Sequence, residues 1–505
     1  MHHFDNAYLS LLQSSASEAF AGSDERTDAP THKAIKNGVN KYCLAVANNE
    51  EIAKPNIKDQ NAEDPGIIAY LASLYHRKAH ASIAHNSLVE KQIQEQLAAF
   101  KFGNPKWQQM FDQYVKYYWH YPHHKGGQPM YRSWLDPVYG QGDYDYGVIN
   151  WTIPEDSTVA LIGDIGTGTD VAAAVLISAL SFNPTIILHV GDVYYSGTEF
   201  EFQQYFVGLI NSVFEDLKLK VPIYTLPGNH EYFTGAIPYF QCLDSNVLVQ
   251  TEAQRQQASF FKLRTENNSW QFIGMDTSFH GHYMGINGDK LEAALRTLHV
   301  DPKDAYDPVV PPPMVFVRPD EVDWHHHHLS QFPGRTILLG HHQLYSAHQK
   351  VGLDQKLIND MPDPADFNRP GVNTALWRDF GLYFNKVAAW FWGHEHNLGI
   401  YQNNYRPQGW PPVTNAPNDP WKNLSKGRCV GHSAIPVAGS EEPYKNNNQI
   451  PLEDSQLKLD LVDGWYNRGF EIIQLRGKNK PAVTSYYQIN GVNPKPIKLY
   501  QETIQ

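Results

Sequence analysis

Five short apolar runs in this 505-residue chain end in the same way. TVALIGD, TIILHVGD, VPIYTLPGN, TILLGH and VAAWFWGH each close on a glycine followed at once by a side chain that can bind metal. The steps are Gly163-Asp164, Gly191-Asp192, Gly228-Asn229, Gly340-His341 and Gly393-His394. Short runs rich in β-branched and aromatic residues, bounded by glycine, read as strands. DVAAAVLISALSF and EFEFQQYFVGLINSVF, between the first three, read as helices. Strands alternating with helices predict an α/β fold with a sheet buried on both faces. Ligands of such sheets bind outside the carboxyl ends of the strands, so the five polar ends should meet at one place. The glycines permit tight turns and close backbone approach there.

The last run continues as GHEHN, placing His394 and His396 two residues apart. In extended backbone alternate side chains share a side. Both imidazoles then face one site and Glu395 points away. Asp164, Asp192, Asn229, His341, His394 and His396 are six candidate ligands of the kind that bind Zn, Fe and Mn. Six is too many for one metal with an open position, and it suits two metals sharing a bridging carboxylate. Each Asp or Asn alone could equally be a turn residue or a helix cap.

The rest of the chain narrows the classes. The formal net charge is −12 with no basic block, which removes a nucleic-acid footprint. No apolar run is long enough to span a membrane. Cys43, Cys242 and Cys429 are dispersed and odd in number, which argues against a disulfide framework. With no basic or apolar leader at the N-terminus, the chain reads as cytoplasmic. Residues 1–60 are polar and poorly periodic, whereas 66–121 carry helical three-to-four spacing. YGQGDYDYG reads as a linker, giving a mainly helical region over 1–150 and a second region over 151–505 that carries the five runs. The helical region could cover a cleft, dimerise or brace the sheet. The oligomeric state is not legible.

GDIG, GDVYYSG, GNHE, GHHQLYS and GHEHN stand in the order used by calcineurin-like metallophosphoesterases, and this chain resembles that family. Any one motif is weak; five in order, each at a strand end, are specific. Two details resemble the purple acid phosphatase branch. The first motif is Asp-x-Gly, and the second is Gly-Asp-x-x-Tyr, here Gly191-Asp192-Val193-Tyr194-Tyr195. The resemblance covers about 163–400 and implies a four-layer αββα sandwich preceded by the helical region. It implies that Asp164, Tyr195 and His396 hold one metal, that Asn229, His341 and His394 hold the second, and that Asp192 bridges. His230 resembles the histidine that faces substrate and protonates the leaving group. Glu231 takes the acidic position after it and would orient it. His348 resembles a substrate-side histidine, with a loop residue as the equal alternative.

The implied reaction is hydrolysis of a small-molecule phosphate monoester by metal-bound hydroxide. Phosphodiester or cyclic-nucleotide hydrolysis is the runner-up, and a metal-stabilised binding protein is a further rival. Two metals could neutralise the phosphoryl oxygens and lower the pKa of water to about 7. A phenol ionises near neutrality only beside a strong Lewis acid. Tyr195 therefore implies Fe(III) paired with Fe, Zn or Mn(II). If Tyr195 is not a ligand, a di-Mn or di-Zn pair is expected.

Other features invite metal or substrate readings. The run His325–His328 points in four directions on a helix and reads as solvated surface. His280 and His282 read as loop residues near the rim, Tyr232 and Tyr345 as cleft or core, and YYWHYPHH at 117–124 as packing between domains.

Overall fold

Period-two patterning sets the architecture of the computed structural model. In β2 (Thr158–Ile162), Val159 and Leu161 enter one core while Ala160 and Ile162 enter another. In β8 (Val387–Trp392), Ala389 and Phe391 join the first of these, and Trp390 and Trp392 join a third. Strands buried on both faces need apolar residues at every position, which is why these runs lack polar alternation.

The structure describes residues 7–19, 25–48, 50–55, 64–83, 86–98, 100, 105–120, 129–245, 247–281, 315–349, 351, 371–407, 422–477 and 480–505. The chain forms two compact units. One comprises Met1–Pro129, Phe233–Gly235 and Tyr283–Pro311; the other comprises Met130–Tyr232, Ala236–His282 and Pro312–Gln505.

The first unit holds α1 (Ala7–Ala19), α2 (Glu25–Ala47), α3 (Pro65–Ile83), α4 (Ser87–Ala98) and α5 (Pro105–His120). Leu9, Leu12, Ile35, Val39, Ile68, Leu71, Ile93 and Met110 belong to its core. The described part of residues 1–60 therefore contains α1 and α2, which periodicity does not reveal. The cause is visible in α1: Ser10, Gln13, Ser14, Ser15 and Ser17 are buried together with its leucines. A helix enclosed all round has no polar face, so the 3.6-residue signal vanishes. Ser15 Oγ donates to Leu11 O at 2.7 Å within the helix, and Gln13 Nε2 donates to Asn40 Oδ1 of α2 at 3.1 Å.

The second unit has two large sheets. The seven-stranded one runs β1 (Val148–Ile153), β5 (Phe261–Thr265), β6 (Trp270–Gly274), β7 (Arg335–Gly340), β8, β10 (Gly427–Val430) and β9 (Leu398–Ile400). The six-stranded one runs β15 (Asn493–Ile504), β14 (Ala482–Asn490), β13 (Arg468–Gln474), β2, β3 (Ile186–His189) and β4 (Ile223–Thr225). A small ladder pairs β11 (Leu461–Val462) with β12 (Trp465–Tyr466). Leu161, Leu188, Tyr224, Ile337, Phe391, Val430 and Ile473 pack together between the two large sheets. On the outer face of the six-stranded sheet lie α6 (Asp170–Leu180), α7 (Gly208–Leu217) and α8 (Ile237–Asp244), through Val175, Ile210 and Phe240. On the outer face of the other lie α9 (Pro319–Gln331) and α10 (Thr374–Phe380), through Trp324 and Trp377. The architecture is the four-layer αββα sandwich, with the helical region before it.

The histidine run lies in α9, and it is not solvated surface. His325 is fully buried beside Glu321, 2.9 Å away, and His328 is buried against Lys262 Nζ at 2.7 Å. His326 contacts Asp379 O, and His327 stacks on Tyr144. The helix sits under a loop on one side and α10 on the other, so its imidazoles serve as flat, hydrogen-bonded packing. Tyr345 is core, edge-on to Trp392 and Tyr401, and Tyr232 is core with its hydroxyl on Asp276. His280 stacks on Phe316, while His282 and residues 121–124 lie outside the described residues.

Candidate metal centre

β2, β3 and β4 are mutually parallel in one sheet, and β7 and β8 are parallel in the other. Their carboxyl ends meet. Gly228 shows why glycine precedes the polar residue: a Cβ there would lie 1.9 Å from Asp192 Oδ1. A Cβ on Gly393 would lie 2.4 Å from Asp164 Oδ2. Any other residue would displace a carboxylate.

The backbone is strained at the same places. Asp164 (φ 58°), Asp192 (φ 54°), His394 (φ 70°) and His396 (φ 53°) all have left-handed backbone. Such conformations cost on the order of 1 kcal/mol each for residues with a Cβ, and they cluster at functional sites. This corrects the reason given for the His394–His396 pair. β8 stops at Trp392, and the pair lies in a turn rather than in extended chain. The chain must reverse at once to enter β9, antiparallel to β10. The turn is held by Glu395 N donating to Gly393 O at 2.9 Å, and by His394 N donating to the Asp164 carboxylate at 3.1 Å. Glu395 does point away, toward Ser346.

Two groups of donor atoms result. Asn229 Oδ1, His341 Nε2 and His394 Nδ1 form a triangle with edges of 3.0, 3.1 and 3.2 Å. His396 Nε2 lies 3.4 Å from Asp164 Oδ1 and 3.9 Å from Asp192 Oδ2. Asp192 lies between the groups, its Oδ1 being 3.4 Å from His341 Nε2. The tautomer of His341 follows from its other nitrogen, Nδ1, which lies 3.0 Å from Val190 O. A carbonyl can only accept, so Nδ1 carries the proton and Nε2 presents a lone pair. That lone pair faces the Asn229 oxygen and an Asp192 oxygen, which are acceptors too. Asp192 Oδ2 is buried and, among the described residues, has no hydrogen-bond partner. Converging buried acceptors are what a cation satisfies, and donor edges near 3 Å suit metal–ligand bonds of about 2.0–2.2 Å. The residues fit a metal pair.

The charges agree. Burial raises the Asp164 carboxyl to about 7, against the pull of His396. Burial also pushes Asp192 up, but His341 and His230 bring it well below the usual carboxylate range. Burial lowers His341 to about 3, so it is neutral as a ligand must be. Burial works against a charge on His396, yet Asp164 and Asp192 lift it to about 10.

Around the cluster, His230 Nδ1 contacts the backbone carbonyl of Tyr195, and its Nε2 stands 3.9 Å from Asp192 Oδ2. It is Tyr195 O that orients this imidazole. The Glu231 carboxylate instead accepts N–H groups of Asp192 (3.1 Å), Val193 (2.9 Å), Tyr194 (3.2 Å) and Gly228, tying the loop after β3 to the loop after β4. Burial raises the Tyr195 phenol, and the charge acting on it most is that of Arg468. The structure thus gathers Asp164, Asp192, Asn229, His230, His341, His394 and His396. His348 is buried, with its Nδ1 on Lys445 O and its ring edge-on to Tyr444. None of these described contacts is to the cluster.

One residue that the motifs did not single out belongs here. His342 packs on His394 with centroids 4.6 Å apart, and its Nδ1 is 3.2 Å from Thr277 Oγ1. With His341 and His394 it forms a further group of ligand atoms within 4.8 Å of one another. The doubled histidine after Gly340 was the available signal.

Residues 157–398 match the family model of the calcineurin-like phosphoesterases. No curated protein matches the chain. Among solved structures, the crystal structure of a hypothetical protein from Thermus thermophilus is similar, at 11% identity and a TM-score of 0.26, over 69% of this chain and 100% of that one. The matched domain supports metal-dependent phosphoester hydrolysis as the general activity, and no described helix is long and apolar enough to cross a membrane.

Proposed function

We propose that the chain is a binuclear phosphatase acting on small phosphate monoesters, of the purple acid phosphatase type. The observation that carries the metal half is the set of buried acceptors around Asp192, which bound cations would satisfy together. Asn229, His341 and His394 would hold one ion, Asp164 and His396 the other with Tyr195, and Asp192 would bridge. Two bound cations would neutralise the phosphoryl oxygens and supply hydroxide near neutral pH. The chain's own residues do the rest. Burial keeps His341 unprotonated, Asp192 stays ionised, and Glu231 holds the two ligand loops in register. His230, fixed through Nδ1, offers Nε2 to the leaving oxygen as a general acid. His348 would face the substrate from the neighbouring turn.

The preference for monoesters over diesters or cyclic nucleotides rests on the Asp-x-Gly and Gly-Asp-x-x-Tyr motifs. So does the assignment of Fe(III) with Fe, Zn or Mn(II), against a di-Mn or di-Zn pair. Three free, buried thiols support a cytoplasmic setting. The test combines metal analysis, a visible spectrum and hydrolysis of p-nitrophenyl phosphate and bis(p-nitrophenyl) phosphate on one preparation. Two metals, faster monoester turnover and a charge-transfer band lost in Tyr195→Phe are expected. Turnover without the band would replace iron by Mn or Zn. Faster diester turnover would overturn the substrate class, and no metal with no turnover would overturn the enzyme.

A further inference from the structure

The carboxylate between the two histidines of GHEH has a partner outside its own turn. Glu395 is 2% exposed, and its Oε2 accepts from Ser346 Oγ at 2.7 Å. A hydroxyl has one proton and two lone pairs. Here Ser346 Oγ also accepts the backbone N–H groups of His348 and Gln349, each at 2.9 Å. With its lone pairs taken by two donors, the serine proton needs an acceptor, and Glu395 is that acceptor. The turn so made carries His348, whose Nδ1 donates to Lys445 O at 3.2 Å. That bond leaves Nε2 with the lone pair, buried and, among the described residues, without a hydrogen-bond partner. Asn447 Nδ2 and Asn448 Nδ2 hold the outside of the turn, through His348 O (2.8 Å) and Ser346 O (2.9 Å). On the inner face the turn is tied to Glu395 through Ser346, and to Tyr401, whose hydroxyl accepts the Ala347 N–H at 3.4 Å.

We propose that Glu395 is a positioning residue. Through Ser346 it joins the metal-binding turn 393–396 to the turn 346–349, so that His348 is placed relative to the metals. The substrate-facing role of His348 rests on the phosphatase reading above; the mechanical tie does not.

The test compares wild type, Ser346→Ala, Glu395→Ala, Glu395→Gln and the Ser346→Ala/Glu395→Ala double variant as full-length, Mn(II)-loaded protein. Hydrogen exchange is read at the amides of 348 and 349, alongside Mn(II) affinity by calorimetry and kcat and KM on p-nitrophenyl phosphate. Both alanine variants should exchange at least about tenfold faster at these amides, while Glu395→Gln, which keeps an acceptor, stays near wild type. Each should lose about tenfold in kcat with Mn(II) affinity within about threefold, and the double variant should lose no more than either single one. Wild-type exchange at 348 and 349 in both alanine variants would overturn the tie. Losses that multiply in the double variant would overturn the route through Ser346. Faster exchange in proteins that hydrolyse nothing, wild type included, would sink the phosphatase reading and leave the tie standing.

Discussion

Asp192 bears more of the site than any other residue. It has left-handed backbone, it is fully buried, and its two oxygens face different imidazoles, His341 on one side and His396 on the other. Asp192→Asn removes the one charge available to both metal positions. Bound metal should fall from two equivalents to one or none, and kcat/KM by about a thousandfold, or about 4 kcal/mol of transition-state stabilisation. Metal analysis and steady-state kinetics check this. Gly393 gives a steric counterpart: its Cβ would sit on Asp164 Oδ2, so Gly393→Ala should empty the Asp164–His396 position first and cost about 1–3 kcal/mol in denaturant unfolding. Asp164, Asp192, Asn229, His341 and His394 were legible because each follows a glycine at the end of an apolar run. The work of Glu231 was not, since nothing local says that its carboxylate collects N–H groups from residues 192–194 and 228.

At the level of elements, the strands were legible and some helices were not. TVALIGD, TIILHVGD, VPIYTLPGN, TILLGH and VAAWFWGH are β2, β3, β4, β7 and β8 with the residues that follow them. A short strand buried on both faces has a local signature: apolar throughout, then glycine. β8 shows the energetic weight of that signature. Trp390 is fully buried with Phe380 and Phe384 packed edge-on. Trp390→Ala should destabilise by about 3–5 kcal/mol, measured as a lower denaturation midpoint with an unchanged slope. α1 gave no periodic signal of its own, and the histidines of α9 were misread, for opposite reasons. α1 is enclosed, so its serines give no polar stripe; α9 spends its histidines on packing, so a polar stripe misleads.

At the scale of the whole second unit, the two sheets are joined by charge as well as by apolar packing. Arg428 on β10 and Glu502 on β15 belong to different sheets, and Arg428 Nε and Nη2 both reach the Glu502 carboxylate at 2.7 Å. Lys426 Nζ adds a third contact at 2.7 Å. Burial alone would raise the Glu502 carboxyl, but Arg428 and Lys426 bring it down to about 2. A carboxylate depressed in the folded state binds protons more readily when unfolded. Its contribution is therefore complete above the unfolded value near 4.5 and is lost as pH falls toward 2. That contribution is roughly 3 kcal/mol. Unfolding free energies measured from pH 7 to pH 2 should show this fall below about pH 4.5, and Glu502→Gln, less stable throughout, should lack it.

By itself the sequence determined the strands, their glycine-to-ligand steps and so the α/β class and the list of candidate ligands, because each of those signals lies within a few residues of chain. Only the tertiary structure decided how the ligands meet. It put Asp164 and Asp192 on one sheet and His341 and His394 on the other, turned His394 and His396 into left-handed backbone, and gave Glu395 a serine to hold. It also decided which polar residues would be buried, in α1, α9 and the Arg428–Glu502 pair. The physical reason is the same in each case. These features are made by partners tens to hundreds of residues apart, and their cost in strain or desolvation is repaid by contacts that exist only once the sheets have packed.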